Sequence, residues 1–269
     1  MNQALRKRIA TAVVLGAAVL VILLWLPAWV SVVVLCLALL LGAWEWSAFL
    51  RTSAALRGGY VGLIALLMYG AWLASANPAA RTLLMALALA WWCIALLWVT
   101  FAPRHVAAWS AALAGVLTLV PAWLALVRLR LDPPGGAQWL LYVLLLVWAA
   151  DIGAYFSGRA FGRVALAPQV SPAKTWEGVL GGLALSSLCA LAGALWFQLP
   201  PRTFLLLSLA AVGFSIVGDL TESLLKRYAG LKDSGKLFPG HGGIMDRIDS
   251  LSAAAPVMFI GLTLFGVTQ

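Results

Sequence analysis

The chain alternates long apolar runs with short polar breaks. Apolar runs cover residues 9–26, 29–50, 60–76, 82–101, 106–127, 138–156, 179–199, 203–220 and 251–267. A helix needs about 20 apolar residues to cross a hydrocarbon core roughly 30 Å thick. The pattern therefore predicts nine membrane-spanning helices. The breaks between them carry Pro, Gly and Arg, which end apolar helices.

Composition sharpens this picture. Of 269 residues, 64% are hydrophobic and only 10% are charged, and the mean hydropathy is +1.00. Soluble domains are near half apolar and about a quarter charged, so a soluble enzyme, a disordered chain and a fibrous repeat are excluded. The fold class expected is all-α, a polytopic integral membrane protein. The first run follows Arg6-Lys7-Arg8 and is long for a signal core, with no small-residue cleavage site after it, so it reads as a retained first span.

The net charge of +9 reads as an orientation signal rather than as a nucleic-acid surface. With the N-terminus in the cytoplasm, only Arg81, Arg128, Arg130 and Arg202 fall on the far side. The other 14 of the 18 Lys and Arg face the cytoplasm, as the positive-inside rule requires. Cys36, Cys93 and Cys189 lie inside apolar runs without metal-ligand spacing, so they read as small hydrophobes.

Acidic residues are distributed unevenly. Residues 1–150 hold only Glu45 and Asp132; Asp151, Glu177, Asp219, Glu222, Asp233, Asp246 and Asp249 follow. This suggests a transmembrane scaffold over 1–150 and a catalytic region over 151–269 with a cytoplasm-facing site. Glu45 is read as scaffold, and Glu45→Gln is expected to be mild.

Four polar stretches carry the chemistry. Asp151 to Arg163 holds an acid at the end of an apolar run, with Gly153, Gly158 and Gly162 available for close helix approach. In Ser171-Pro172-Ala173-Lys174-Thr175, Ser171 is suited to cap a helix and Pro172 to its first position. Lys174 would then join the free N–H groups of the first turn in a phosphate cradle. In Gly218 to Arg227, Asp219, Glu222, Ser223 and Lys226 recur at helical steps, so they share one face. Two carboxylates there suit Mg²⁺. The last stretch, Lys232 to Ser250, is glycine-rich and basic, and Asp246 and Asp249 share a face or a tight turn. The plainer readings are capped helix ends and a solvated ion-pair face. Together the four stretches point to metal-dependent phosphoryl or nucleotidyl transfer on a lipid phosphate.

The stretch Ser223-x-x-Lys226-Arg227-x₄-Lys232-Asp233-Ser234-Gly235-x-x-Phe238-Pro239-x-His241-Gly242-Gly243-x-x-Asp246-Arg247-x-Asp249 closely resembles the signature of the phosphatidate cytidylyltransferases, the CDP-diacylglycerol synthases. Residues 151–163 and 171–178 resemble that family's upstream motifs. Ala173 departs from it, standing where members usually carry a second lysine.

The resemblance implies that CTP and phosphatidic acid give CDP-diacylglycerol and pyrophosphate with Mg²⁺, and that the enzyme is a homodimer that also uses a monovalent cation such as K⁺. It implies Asp219 and Asp246 as the main metal ligands, with Asp249 and Glu222 in support. Asp219, Lys226, Asp246 and Arg247 would be catalytic. Lys226, Arg227, Lys232 and Arg247 would hold triphosphate or pyrophosphate. Ser171, Lys174, Thr175, Ser223, His241, Gly242 and Gly243 would bind substrate, with His241 a weaker candidate for proton transfer. The short N-terminus and lack of a soluble extension lean toward a bacterial inner membrane. Two other readings stay open: a CTP-dependent polyprenol or phytol kinase, which would release CDP, and an ion-coupled transporter with Asp151 and Asp219 on its path.

Overall fold

The computed structural model describes residues 3–235, 237 and 242–267, with side chains from residue 13 on. Among the described residues nine α-helices follow in order: α1 (Gln3–Leu24), α2 (Ala28–Trp46), α3 (Ala54–Ala74), α4 (Pro78–Phe101), α5 (Ala108–Leu131), α6 (Gly136–Phe161), α7 (Trp176–Phe197), α8 (Pro201–Ala229) and α9 (Met245–Leu264). Eight are long and apolar enough to cross a membrane, and α1 carries a shorter apolar stretch, Val13–Leu24. The nine apolar runs and the nine helices correspond one to one, and the protein is an integral membrane protein.

The all-α class holds, with one short β element in a connection. Between α6 and α7 the chain forms an antiparallel hairpin of β1 (Ala165–Ala167) and β2 (Ser171–Thr175). Ser171 therefore does not cap a helix. Thr175 does, its hydroxyl accepting the N–H of Gly178 at 3.1 Å. Both residue types cap well, and the later one forms the cap because Glu177 ties down the strand before it. The Glu177 carboxylate accepts the N–H groups of Arg163 at 3.1 Å and Val164 at 3.3 Å. Those contacts close the hairpin against the start of α7.

Helix α9 is the most enclosed element. Of its most apolar stretch 72% is buried, against 67% for α5 and 22% for α3. It packs on α8, α5 and α2, so the two halves of the chain share one core. Pro256 and Pro121 lie inside α9 and α5; packing against neighbouring helices lets membrane helices tolerate such interruptions. Exposed Leu, Val, Trp and Phe side chains cover the outer helices, as lipid contact requires.

Two helices outrun the apolar pattern. Helix α8 continues past residue 220 to Ala229, and α9 starts at Met245 rather than near 251. The extra turns carry Glu222, Lys226, Asp246 and Asp249. Their charges end the hydropathic signal, yet partners inside the bundle keep them helical.

Candidate active site

Asp219, Glu222 and Lys226 lie one turn apart along α8 and face α9. The approach is close because position 218 is glycine: a Cβ there would stand 2.6 Å from the carbonyl oxygen of Asp249. This contact brings Asp249 beside Asp219 and Glu222. One carboxylate oxygen of each lies within 4.8 Å of the others.

Two of the three are deeply enclosed, Glu222 at 1% exposure and Asp249 at 8%. Taking ionised carboxylates out of water costs several kcal/mol each unless they are paired. Lys226 Nζ donates to Glu222 Oε2 at 2.8 Å, and Lys174 Nζ pairs with Asp219. Glu222 Oε1 is buried and meets no N–H or hydroxyl donor among the described residues, only the neighbouring carboxyl group of Asp249. A buried carboxylate oxygen that faces only another acid, among three clustered acids, is the chemistry of a hard-cation site, so the residues present fit Mg²⁺.

The hairpin brings Lys174 to this group. Val170, at its tip and 1% exposed, packs among Val99, Leu220 and Leu224. Its carbonyl accepts from Arg227 Nε at 3.4 Å. A cavity of about 510 Å³ opens in front of Asp219, walled by α6, β2, α7 and α8. Asp151, Ser171, Lys174 and Thr175 line it with apolar Val179, Val212 and Ile216. It can thus take a charged group beside Asp219 and an apolar group further in. Helices α6 and α7 meet closely along it: a Cβ on Gly153 would stand 2.4 Å from the carbonyl oxygen of Gly181.

The remaining candidate residues are held by contacts within the protein. Asp246 is not among the three clustered carboxylates, and its oxygens are engaged by Lys226 and by the loop before α9. Oδ1 accepts from Lys226 Nζ at 2.7 Å; Oδ2 accepts the N–H groups of Ser234 at 3.0 Å and Gly243 at 2.8 Å. Lys226 therefore bridges two acids. The N–H of Gly243 is likewise taken by Asp246. Gly242, at φ +78°, has a conformation that a side chain would strain, and a Cβ there would stand 2.5 Å from Asp246 Oδ2. These glycines leave room for a carboxylate.

Ser223 is buried on α8, whereas Arg227, Lys232 and Arg247 are exposed. All three cations belong to the end of the bundle that holds the site. His241 lies outside the described residues.

Glu45, read from the sequence as scaffold, reaches the loop and helix start that hold Asp246. It projects from α2 into the start of α9, 8% exposed. Its Oε2 accepts the N–H of Met245 at 2.8 Å and the hydroxyl of Ser234 at 3.0 Å, and Oε1 accepts the N–H of Ile244 at 3.1 Å. A signal was present: an acid inside an apolar span points to function by default.

The sequence profile of the cytidylyltransferase family matches residues 6–265. The chain belongs to that family and is an integral membrane transferase. Two relatives cover most of it. The phosphatidate cytidylyltransferase of Haemophilus influenzae is 41% identical over 280 residues, 94% of this chain and 96% of the relative. That of Pseudomonas aeruginosa is 44% identical over 225 residues, 81% of this chain and 82% of the relative. A third, the phosphatidate cytidylyltransferase of Bacillus subtilis, is 43% identical over 132 residues, 48% of this chain and 49% of the relative.

Proposed function

We propose that the protein transfers the cytidylyl group of CTP to phosphatidic acid, giving CDP-diacylglycerol and pyrophosphate, at the cytoplasmic face of a bacterial inner membrane. The observation that carries this reading is the cluster of Asp219, Glu222 and Asp249, with a Glu222 oxygen that meets no N–H or hydroxyl donor among the described residues. It sits beside a cavity with a charged mouth and apolar walls. The relatives' names agree with it.

A phosphate oxygen of the lipid attacks the α-phosphorus of CTP. The new P–O bond forms as the bond to the β-phosphate oxygen breaks, and the electron pair leaves with pyrophosphate. The attacking phosphate is already ionised near neutral pH, so no strong general base is required. Two anions must meet, and positioning with charge neutralisation is the main task. Asp219, Glu222 and Asp249 would hold Mg²⁺, which offsets charge on the phosphates when bound. Lys174 reaches the cavity mouth and would hold the lipid phosphate next to Asp219. Exposed Arg227, Lys232 and Arg247 would meet the triphosphate from the aqueous side. The apolar cavity wall would take the first methylenes of the acyl chains. A homodimer and a monovalent cation such as K⁺ belong to this reading through the family resemblance.

The test uses purified protein in liposomes with phosphatidic acid, Mg²⁺ and CTP labelled at the α or the γ position. The expected result is α-label in the lipid and γ-label in pyrophosphate, both lost with EDTA. γ-Label in the lipid, with CDP released, would replace this reading with a lipid kinase.

A further inference from the structure

Ile244, at the head of α9, offers no side-chain acceptor, and of the N–H groups there Asp246 of the first turn takes only that of Gly243 before it. The first N–H groups of a helix need acceptors, and an anion is favoured there. Glu45 supplies the acceptors from across the bundle, about 200 residues away in sequence. Its two oxygens take the N–H groups of Ile244 and Met245. The surrounding backbone is shaped to admit it: a Cβ on Gly235 would stand 2.1 Å, and one on Gly243 2.2 Å, from a Glu45 oxygen.

Two routes lead from Glu45 to the three carboxylates. One runs along α9, where Asp249 lies just over one turn past Met245. The other runs through Ser234, whose hydroxyl lies 3.0 Å from Glu45 Oε2 and 2.9 Å from Asp246 Oδ2. Asp246 holds Lys226, and Lys226 holds Glu222. The single Ser234 hydroxyl proton serves one carboxylate at a time, and its oxygen accepts the N–H of Asp246 at 3.3 Å, so the serine ties both acids to the start of α9.

We infer that Glu45 is a positioning residue for the cation site, setting Asp249 through the start of α9 and Glu222 through Ser234, Asp246 and Lys226. The inference rests on the proposed reading that Asp219, Glu222 and Asp249 hold a divalent cation. Glu45 itself touches none of the three. A Gln at position 45 keeps one acceptor oxygen and turns an NH₂ toward groups that already donate. An Asp keeps both acceptors one methylene short.

The test compares full-length wild type with Glu45→Gln, Glu45→Asp and Ser234→Ala. It reads Mn²⁺ binding by the free-ion paramagnetic signal, thermal unfolding, and the Mg²⁺ dependence of cytidylyl transfer. Partners that orient metal ligands are worth roughly 10–100-fold in affinity. Glu45→Gln should weaken Mn²⁺ binding at least about 10-fold and raise the half-activating Mg²⁺ concentration with it. Glu45→Asp should recover part of that loss. Ser234→Ala should shift both in the same direction by less, and it carries the test if Glu45→Gln fails to insert. A variant that melts earlier but binds Mn²⁺ as wild type does would overturn the inference, leaving Glu45 a plain helix cap. If wild type binds Mn²⁺ yet transfers no cytidylyl group, the proposed function falls, while weakened Mn²⁺ binding in Glu45→Gln still upholds the positioning role.

Discussion

Gly218 and Asp249 meet backbone to backbone, so that even a methyl group at 218 would stand 2.6 Å from the Asp249 carbonyl oxygen. The carbonyl belongs to a helix and cannot swing aside. Gly218→Ala must therefore push α8 and α9 apart by several tenths of an ångström. Overpacking of this kind costs about 1–3 kcal/mol of stability. The loss of activity should be larger, because the displaced helices carry all three clustered carboxylates. Transfer is expected to fall at least about 10-fold, while Gly213→Ala, with open space around position 213, stays near wild type. Equal activities in the two variants would show that the α8–α9 spacing is not critical.

The hairpin should be separable from the helices. Val170→Asp puts a carboxylate into the apolar pocket formed with Val99, Leu220 and Leu224. Burying an unpaired charge is prohibitive, so the tip should leave α8 and take Lys174 away from Asp219. Helical content should persist, cleavage of residues 163–175 by added protease should quicken, and transfer should drop to the level of a Lys174 variant. Full activity with a cleaved hairpin would remove Lys174 from the site.

Lys174 tests the cavity mouth. Both members of its pair with Asp219 are 28% exposed, so solvent weakens the pair and its contribution to folding is small. Its effect should appear in kinetics. Lys174→Met is expected to lower kcat/KM for the anionic lipid about 10-fold, the range of one charge-assisted hydrogen bond. Lys174→Arg should keep part of it. A lipid KM unchanged in Lys174→Met would mean that the lysine only balances Asp219.

Much of this arrangement was legible in the sequence. Nine apolar runs marked nine helices, since lipid demands length and apolarity of each. The spacing of Asp219, Glu222 and Lys226 placed them on one face because α8 stays helical through them. Asp249 was named beside them. The helix contacts that close the site were not legible. Asp246 and Asp249 sit three residues apart on α9, yet one turns to Lys226 and the loop, and the other to the carboxylates. Which way each turns depends on Ser234 and Gly218, and no local pattern encodes those partners. Ser171 and Thr175 are both good caps, and the Glu177 contacts that decide between them bridge 13 and 14 residues. Glu45 shows the limit most plainly, because its partners lie 189 to 200 residues away.

The most direct measurement is cytidylyl transfer across a Mg²⁺ titration for wild type, Asp219→Asn, Glu222→Gln, Asp249→Asn and Asp246→Asn, with Mn²⁺ binding read on the same preparations. The expected result is loss of turnover and of tight Mn²⁺ binding in the first three variants. Asp246→Asn should bind Mn²⁺ more weakly than wild type but better than any of them, since it acts through Lys226 and the loop. Wild-type Mn²⁺ binding and turnover in Glu222→Gln or Asp249→Asn would contradict a cation site at these three carboxylates.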